Sequence, residues 1–174
     1  FAAGIAKRER NAVTFLDVGA NVGHHSLFMA GHADTVLAFE PSSACRSQFS
    51  DNITANGINN IEILPYALGE ADYSARLGSG LPGNTGAQSL MWTLDGQAWV
   101  DVEVRHGQRL LDARNFPRID VMKIDVEGYE KRVLEGMQSR LCRDRPVLLF
   151  ELWPPSHEAG FTSEEQLKRH LYPD

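Results

Sequence analysis

Phe15-Leu16-Asp17-Val18-Gly19-Ala20-Asn21-Val22-Gly23 decides the fold, because an apolar run collapses there into a glycine-containing turn and continues into a helix. Glycines let the backbone turn tightly and approach a ligand, and the following helix offers free N–H groups and the positive end of its dipole. Nucleotide-like ligands sit at such turns. A dinucleotide site expects Gly-x-Gly-x-x-Gly, whereas from Gly19 onward Asn21 takes the second glycine place and His24 the third. That weakens a pyrophosphate reading. Asp17, ahead of the turn, adds a carboxylate that repels phosphate and attracts an ammonium or sulfonium.

Outward from this turn, strand and helix patterns alternate. Val13 to Val18 suits a parallel strand buried on both faces, and His24 to His32 the helix behind it, with Leu27 and Phe28 toward the sheet. Thr35 to Glu40 reads as a second strand stopped by Pro41. Ser42 or Ser43 caps a helix in which Cys45, Phe49 and Ile53 recur every four residues and Gly57 follows the end. Asn60 to Leu68 reads as a third strand that Pro65 must end early or bulge. Gly69 to Asn84 is glycine-rich and reads as a loop or irregular lid.

Beyond it, Trp99 to Arg105 alternates as a half-exposed strand, Leu110 to Phe116 suits a short helix, and Ile119 to Val126 a core strand. Tyr129 to Leu141 is a helix with Val133, Met137 and Leu141 at four-residue spacing. Pro146 to Leu152 is the last clear strand, and Thr162-Ser163-Glu164-Glu165 is a capping box opening a final helix with Leu167 and Leu171. The expected architecture is α/β, an open, mostly parallel sheet with helices on both faces.

A chain of 174 residues suits one domain, expected to span residues 1–174. Hydrophobic residues at 43% and charged residues at 23% match a soluble globular chain, and no apolar stretch approaches the roughly 20 residues of a membrane span. A net charge of -6 gives no general attraction to nucleic-acid phosphates. Cys45 and Cys142 form neither a metal spacing nor a redox pair, so free thiols in a reducing compartment are expected. No signal-peptide pattern follows Phe1, which reads as a trimmed boundary, and the expected localisation is cytoplasmic. No feature of the sequence selects an oligomeric state.

Ligands of such sheets bind beyond the carboxyl ends of the strands. Those ends carry Asp17 and Gly19, Glu40, Ala67 and Leu68, Asp125 and Glu127, and Glu151, so all but one is acidic. Glu40 stands about 20 residues past the turn, where an acid accepts both hydrogen bonds of a ribose diol.

Four segments taken together, Phe15 to Gly23, Ala38-Phe39-Glu40-Pro41, Pro65-Tyr66-Ala67-Leu68-Gly69 and Ile124-Asp125-Val126-Glu127-Gly128-Tyr129-Glu130, resemble the FkbM-type family of S-adenosylmethionine-dependent methyltransferases. Asn84 to Leu90 is a weaker match. The resemblance implies a Rossmann-like class I methyltransferase with a doubly wound sheet, S-adenosyl-L-methionine as cofactor and S-adenosyl-L-homocysteine as product. It implies Asp17, Gly19, Ala20, Asn21 and Gly23 around the methionine portion, Glu40 with Pro41 at the ribose, and Ala67 with Leu68 beside the adenine. An acid-rich rim suits a sulfonium and an ammonium better than a pyrophosphate. The chain departs from the class after Glu151-Leu152, where the sixth and antiparallel seventh strands are missing, so a truncated chain or an unresolved tail is expected.

The implied reaction is methylation of a hydroxyl oxygen on a sugar, polyketide or similar small molecule, with Asp125 and Glu127 as candidate bases. The same acids could instead cap the next helix. His24 and His25 read as surface or capping residues, and no metal site is expected although Asp125, Glu127 and Glu151 have suitable oxygens. Trp92, Trp99, Trp153 and the Gly78 to Asn84 loop are candidate acceptor walls. The expected partner is a small-molecule acceptor, with neither nucleic acid nor membrane. Two rivals are a NAD-type oxidoreductase, which Asn21 and His24 disfavour, and a non-catalytic Rossmann-like binding module.

Overall fold

Alternating strand and helix signals require each helix to cross over a sheet and return the chain parallel to its last strand. The computed structural model describes residues 12–78, 88–91, 98–152, 161 and 163–171. The elements follow in the order β1 (Thr14–Val18), α1 (His24–Ala30), β2 (Thr35–Phe39), α2 (Ser43–Ala55), β3 (Ile61–Leu64), β4 (Tyr66–Gly69), β5 (Tyr73–Gly78), β6 (Trp99–His106), α3 (Gly107–Ala113), β7 (Val121–Ile124), α4 (Glu130–Asp144), β8 (Val147–Phe150) and α5 (Glu164–Leu171). Five strands form a wholly parallel sheet in the order β3-β2-β1-β7-β8. The chain winds outward from β1 to β3 and then returns to the other side of β1. The switch point therefore lies between β1 and β7, where ligands of open α/β sheets bind.

Side-chain alternation distributes the core over both faces. Leu16, Val18, Leu37, Phe39, Met122 and Ile124 pack with Leu111 of α3 and with Val133, Leu134, Met137 and Leu141 of α4. Phe15, Val36 and Val121 pack under Met29 and Ala30 of α1, and Ala38 packs under Phe49 and Ile53 of α2. Each fully buried Leu, Phe or Met contributes about 1.5–3 kcal/mol, so two apolar layers hold a sheet whose central strand also buries a charge. Leu167 and Leu171 bring α5 onto the first layer, and the Ser163 hydroxyl caps it by accepting from the Gln166 N–H at 3.1 Å.

Three sequence expectations are corrected. The run from Asn60 to Leu68 is two strands: at Pro65 the chain leaves the parallel sheet, and β4 joins a three-stranded sheet ordered β4-β6-β5. Within the glycine-rich stretch expected to be a loop, Tyr73–Gly78 is β5, paired antiparallel with β6 from Tyr73↔Val104 to Gly78↔Trp99. Residues 79–84 of that stretch lie outside the described residues. Phe28 does not face the sheet and is 68% exposed, because Ser26 and Leu27 point inward and Phe28 lies around the helix from them.

Other boundaries move only at their ends. The short helix starts earlier, at Gly107, because His106 supplies its cap. Cys45 is buried and Cys142 half-buried, both free thiols. After β8 the only regular element among the described residues is α5. No described helix is long and apolar enough to cross a membrane.

Candidate functional site

Beyond the carboxyl ends of β1, β2 and β7 lies a cleft of about 550 Å³, part of it open to solvent. Its two walls come from different sheets. Val18, Gly19, Asn21, Phe39, Glu40, Pro41 and Asp125 line it from the parallel sheet, and Tyr66, Ala67, Leu68 and Leu77 from the three-stranded one. Gln88 and Leu90 border the same space.

The glycine turn is built by backbone constraint. Gly19 and Gly23 have φ of 76° and 90°, where a side chain is strained. A Cβ on Gly19 would lie 2.0 Å from the Asp125 carbonyl oxygen, and one on Gly23 would lie 2.1 Å from the Phe49 ring. The Gly19 and Ala20 N–H groups both donate to the Phe39 carbonyl at 3.0 Å, which ties the turn to the end of β2. Ala20 packs with Ala38 and Phe49 beneath the turn, and Asn52 anchors it from α2 by donating to the Val22 carbonyl.

Glu40 is 5% exposed, and each of its oxygens accepts one backbone N–H: Oε2 from Asn21 and Oε1 from Ser42, both at 2.8 Å. The carboxylate is thereby pinned with a lone pair free on each oxygen. Burial pushes its pKa up, while the two N–H groups and the Arg46 and Lys123 charges oppose that shift. Arg46 also donates to the Glu40 and Pro41 carbonyls, which holds the corner after β2.

Asp17 lies elsewhere than in the cleft wall. It is fully buried on β1, where Oδ2 accepts from the Ser26 hydroxyl at 2.7 Å and Oδ1 pairs with Lys123 Nζ at 3.1 Å. Its charge is met inside the protein. Lys123 lies opposite Asp17 in the β1–β7 register, and Nζ also donates to the Gly19 carbonyl at 2.8 Å and faces Asp125 Oδ2 at 3.7 Å.

Asp125 follows β7 directly, with its side chain 48% exposed at the cleft. Glu127 is half-buried, adopts φ 51° and is outside the cleft lining. Burial, then the Asp125, Glu151 and Glu130 charges, push its pKa up. Neither acid caps α4: Glu130 reaches back instead, and its Oε1 accepts from the Val126 and Gly128 N–H groups at 2.9 and 3.3 Å. Glu130 is 1% exposed, and burial raises its pKa despite those bonds. Ser89 closes the corner by donating its hydroxyl to the Glu127 carbonyl at 2.7 Å.

Of the remaining sequence candidates, His24 and His25 are exposed on α1, and Trp99 is 42% exposed with the Arg76 guanidinium 5.1 Å from its ring centroid. Trp92 and Trp153 lie outside the described residues, as does most of Asn84 to Leu90. Among the described residues no group of three His, Cys, Asp or Glu side chains could hold a metal ion.

Sequence reasoning gave no individual role to Lys123, Tyr66, Tyr129 or Glu130, the last three being named within the family-like segments. Lys123 carried a signal, a lone cation inside the apolar strand Val121-Met122-Lys123-Ile124. Tyr129 lines the cleft, and its hydroxyl meets those of Tyr73 and the Glu70 carboxylate, contacts between distant segments that no local pattern encodes.

Comparison with known proteins gives concordant findings. Residues 17–170 match the model of the methyltransferase FkbM domain. The chain is 27% identical to the methyltransferase sdnD of Sordaria araneosa, covering 81% of this chain and 66% of the relative. It is 29% identical to the hexuronic acid methyltransferase AglP of Haloferax volcanii, covering 72% of this chain and 50% of the relative. The chain thus spans between half and two thirds of these curated relatives. A crystal structure of the methyltransferase FkbM from Methylobacillus flagellatus superposes with a TM-score of 0.64 at 17% identity, over 94% of this chain and 38% of that one, which shows a shared fold. The chain belongs to the FkbM methyltransferase domain family.

Proposed function

We propose that this member of the FkbM methyltransferase family binds S-adenosyl-L-methionine in the cleft and transfers its methyl group to a hydroxyl oxygen of a small molecule, a sugar or polyketide. The observation that carries the reading is the Glu40 carboxylate beside the Gly19–Gly23 turn, each oxygen fixed by one backbone N–H and keeping acceptor capacity for a ribose diol. The donor set fits an adenosyl amino acid. Glu40 suits the ribose, Ala67, Leu68 and Leu90 supply apolar walls for the adenine, and Gly19, Asn21 and Asp125 leave polar edges for the amino-acid end. Pro41 completes the ribose corner. Ala20 and Gly23 act from beneath by shaping the turn, and Asp17 acts through its partner Lys123.

When bound, the sulfonium supplies an activated methyl group. This chain has to align an acceptor oxygen with it, exclude water and receive the hydroxyl proton. Asp125, at the cleft wall, and Glu127, behind it with a raised pKa, are the proposed proton acceptors; a carboxylate pKa moved toward neutrality is the direction a base needs. A sugar acceptor draws support from the relative named as a hexuronic acid methyltransferase. The proposed compartment is the cytoplasm.

Calorimetry with S-adenosyl-L-homocysteine and with NAD tests the cofactor. Saturable binding of the homocysteine nucleoside without NAD binding is expected, and the reverse preference overturns the reading. Transfer of labelled methyl to a panel of sugar and polyketide hydroxyls then tests the activity. Cofactor binding with no transfer to any acceptor would favour a non-catalytic module.

A further inference from the structure

We infer that Lys123 is a positioning residue of this cleft, its ammonium holding the Gly19–Ala20 peptide and the Asp125 carboxylate in place on the cleft walls. The inference rests on the cofactor reading above. A lysine side chain 5% exposed in the middle of a parallel sheet is costly to desolvate, and apolar pairs of similar volume often replace such ion pairs without loss of stability. What the charge touches explains its presence. The Nζ group donates to the Gly19 carbonyl at 2.8 Å and stands in ion-pair range of two carboxylates, Asp17 Oδ1 at 3.1 Å and Asp125 Oδ2 at 3.7 Å. Gly19 and Asp125 both line the cleft, one on each side of the switch point.

The peptide between Gly19 and Ala20 is fixed at both polar ends, its carbonyl by Lys123 and its N–H by the Phe39 carbonyl. It cannot rotate without breaking both bonds. That sets the direction of the next residue, Asn21, whose N–H orients Glu40. Asp17 neutralises the cation from below, and the Ser26 hydroxyl holds Asp17. The chain Ser26, Asp17, Lys123, Gly19 thus carries order from the underside of the sheet to the ligand side. The Lys123 charge also reaches Glu40, where it favours the ionised carboxylate.

The test compares the unsubstituted protein with Lys123→Met and with the double variant Asp17→Asn/Lys123→Met. The single variant strands the buried Asp17 charge and is expected to lose stability. The double variant removes both charges and is expected to melt cooperatively while binding S-adenosyl-L-homocysteine at least tenfold more weakly, with faster exchange of the Ala20 amide. A folded double variant that binds within twofold of the unsubstituted protein overturns the inference.

Should the double variant not fold, the unsubstituted protein with ¹⁵N-labelled lysine decides. Its Lys123 Nζ resonance is expected to shift on addition of S-adenosyl-L-homocysteine, with slower exchange of its protons, and an unmoved resonance overturns the inference. Absence of any binding by the unsubstituted protein is a different result: it overturns the cofactor reading itself.

Discussion

Glu40 has both oxygens engaged by backbone N–H groups, so the ligand diol proposed for this corner would meet a carboxylate that needs no reorganisation. Glu40→Gln keeps the size but turns one acceptor into a donor facing an N–H group. Its expected cost to S-adenosyl-L-homocysteine binding is about 1–3 kcal/mol, read by calorimetry on a variant whose melting curve stays cooperative. Unchanged affinity would remove Glu40 from the ribose role. Glu130 makes a pH prediction. Its folded pKa is raised above the ordinary 4.5 because burial, with the Glu151 charge, outweighs the backbone N–H bonds to its carboxylate, and its Oε2 has no hydrogen-bond partner among the described residues. The folded state therefore holds this proton more tightly than the unfolded state, and stability is lost as pH rises from about 4.5 through the raised value. Glu130→Gln keeps an acceptor for Val126 and Gly128 but removes the titration. Across that window its melting temperature should decline less with rising pH than that of the unsubstituted protein; parallel curves would show that the shift is absent.

At the level of elements, α4 lies unusually close to β4. A Cβ on Gly136 would stand 1.9 Å from the Gly69 carbonyl oxygen, a backbone atom that no rotamer change can move aside. Gly136→Ala gains about 1 kcal/mol of helix propensity but incurs a larger overpacking cost. The net loss should be about 2 kcal/mol, or about 4–8 °C in melting temperature for a chain of this size. A variant that melts at or above the unsubstituted protein would mean that α4 is free to retreat. The same elements show what local pattern can encode. The β1 turn, the Cys45–Phe49 stripe of α2 and the alternating Val102 and Val104 of β6 were legible, because burial periodicity and backbone-permissive residues lie within a few positions of one another. Tyr73–Gly78 was not, since Tyr-Ser-Ala-Arg-Leu-Gly acquires its strand by pairing with β6, which begins only at Trp99. The cleft followed the same rule. Glu40 announced itself by its place at a strand end, whereas the inward turn of Asp17 depended on Lys123, a partner far along the chain.

For the whole molecule, ligand binding and folding draw on the same structure. If S-adenosyl-L-homocysteine binds only the folded state, a concentration one hundred times its Kd adds about 2.7 kcal/mol. That corresponds to a rise of about 5–10 °C in melting temperature at this chain length. A saturating addition that leaves the melting curve unmoved would contradict occupancy of the cleft.

Pro65 stands as a one-residue seam between the two sheets, with Leu64 closing β3 and Tyr66 opening β4. Because one wall of the cleft belongs to each sheet, a bound nucleoside acts as a staple across that seam. Its footprint in hydrogen exchange should then extend beyond the residues it touches. Amides of β6, which pairs with β4 and β5, should slow on binding although no β6 residue lines the cleft.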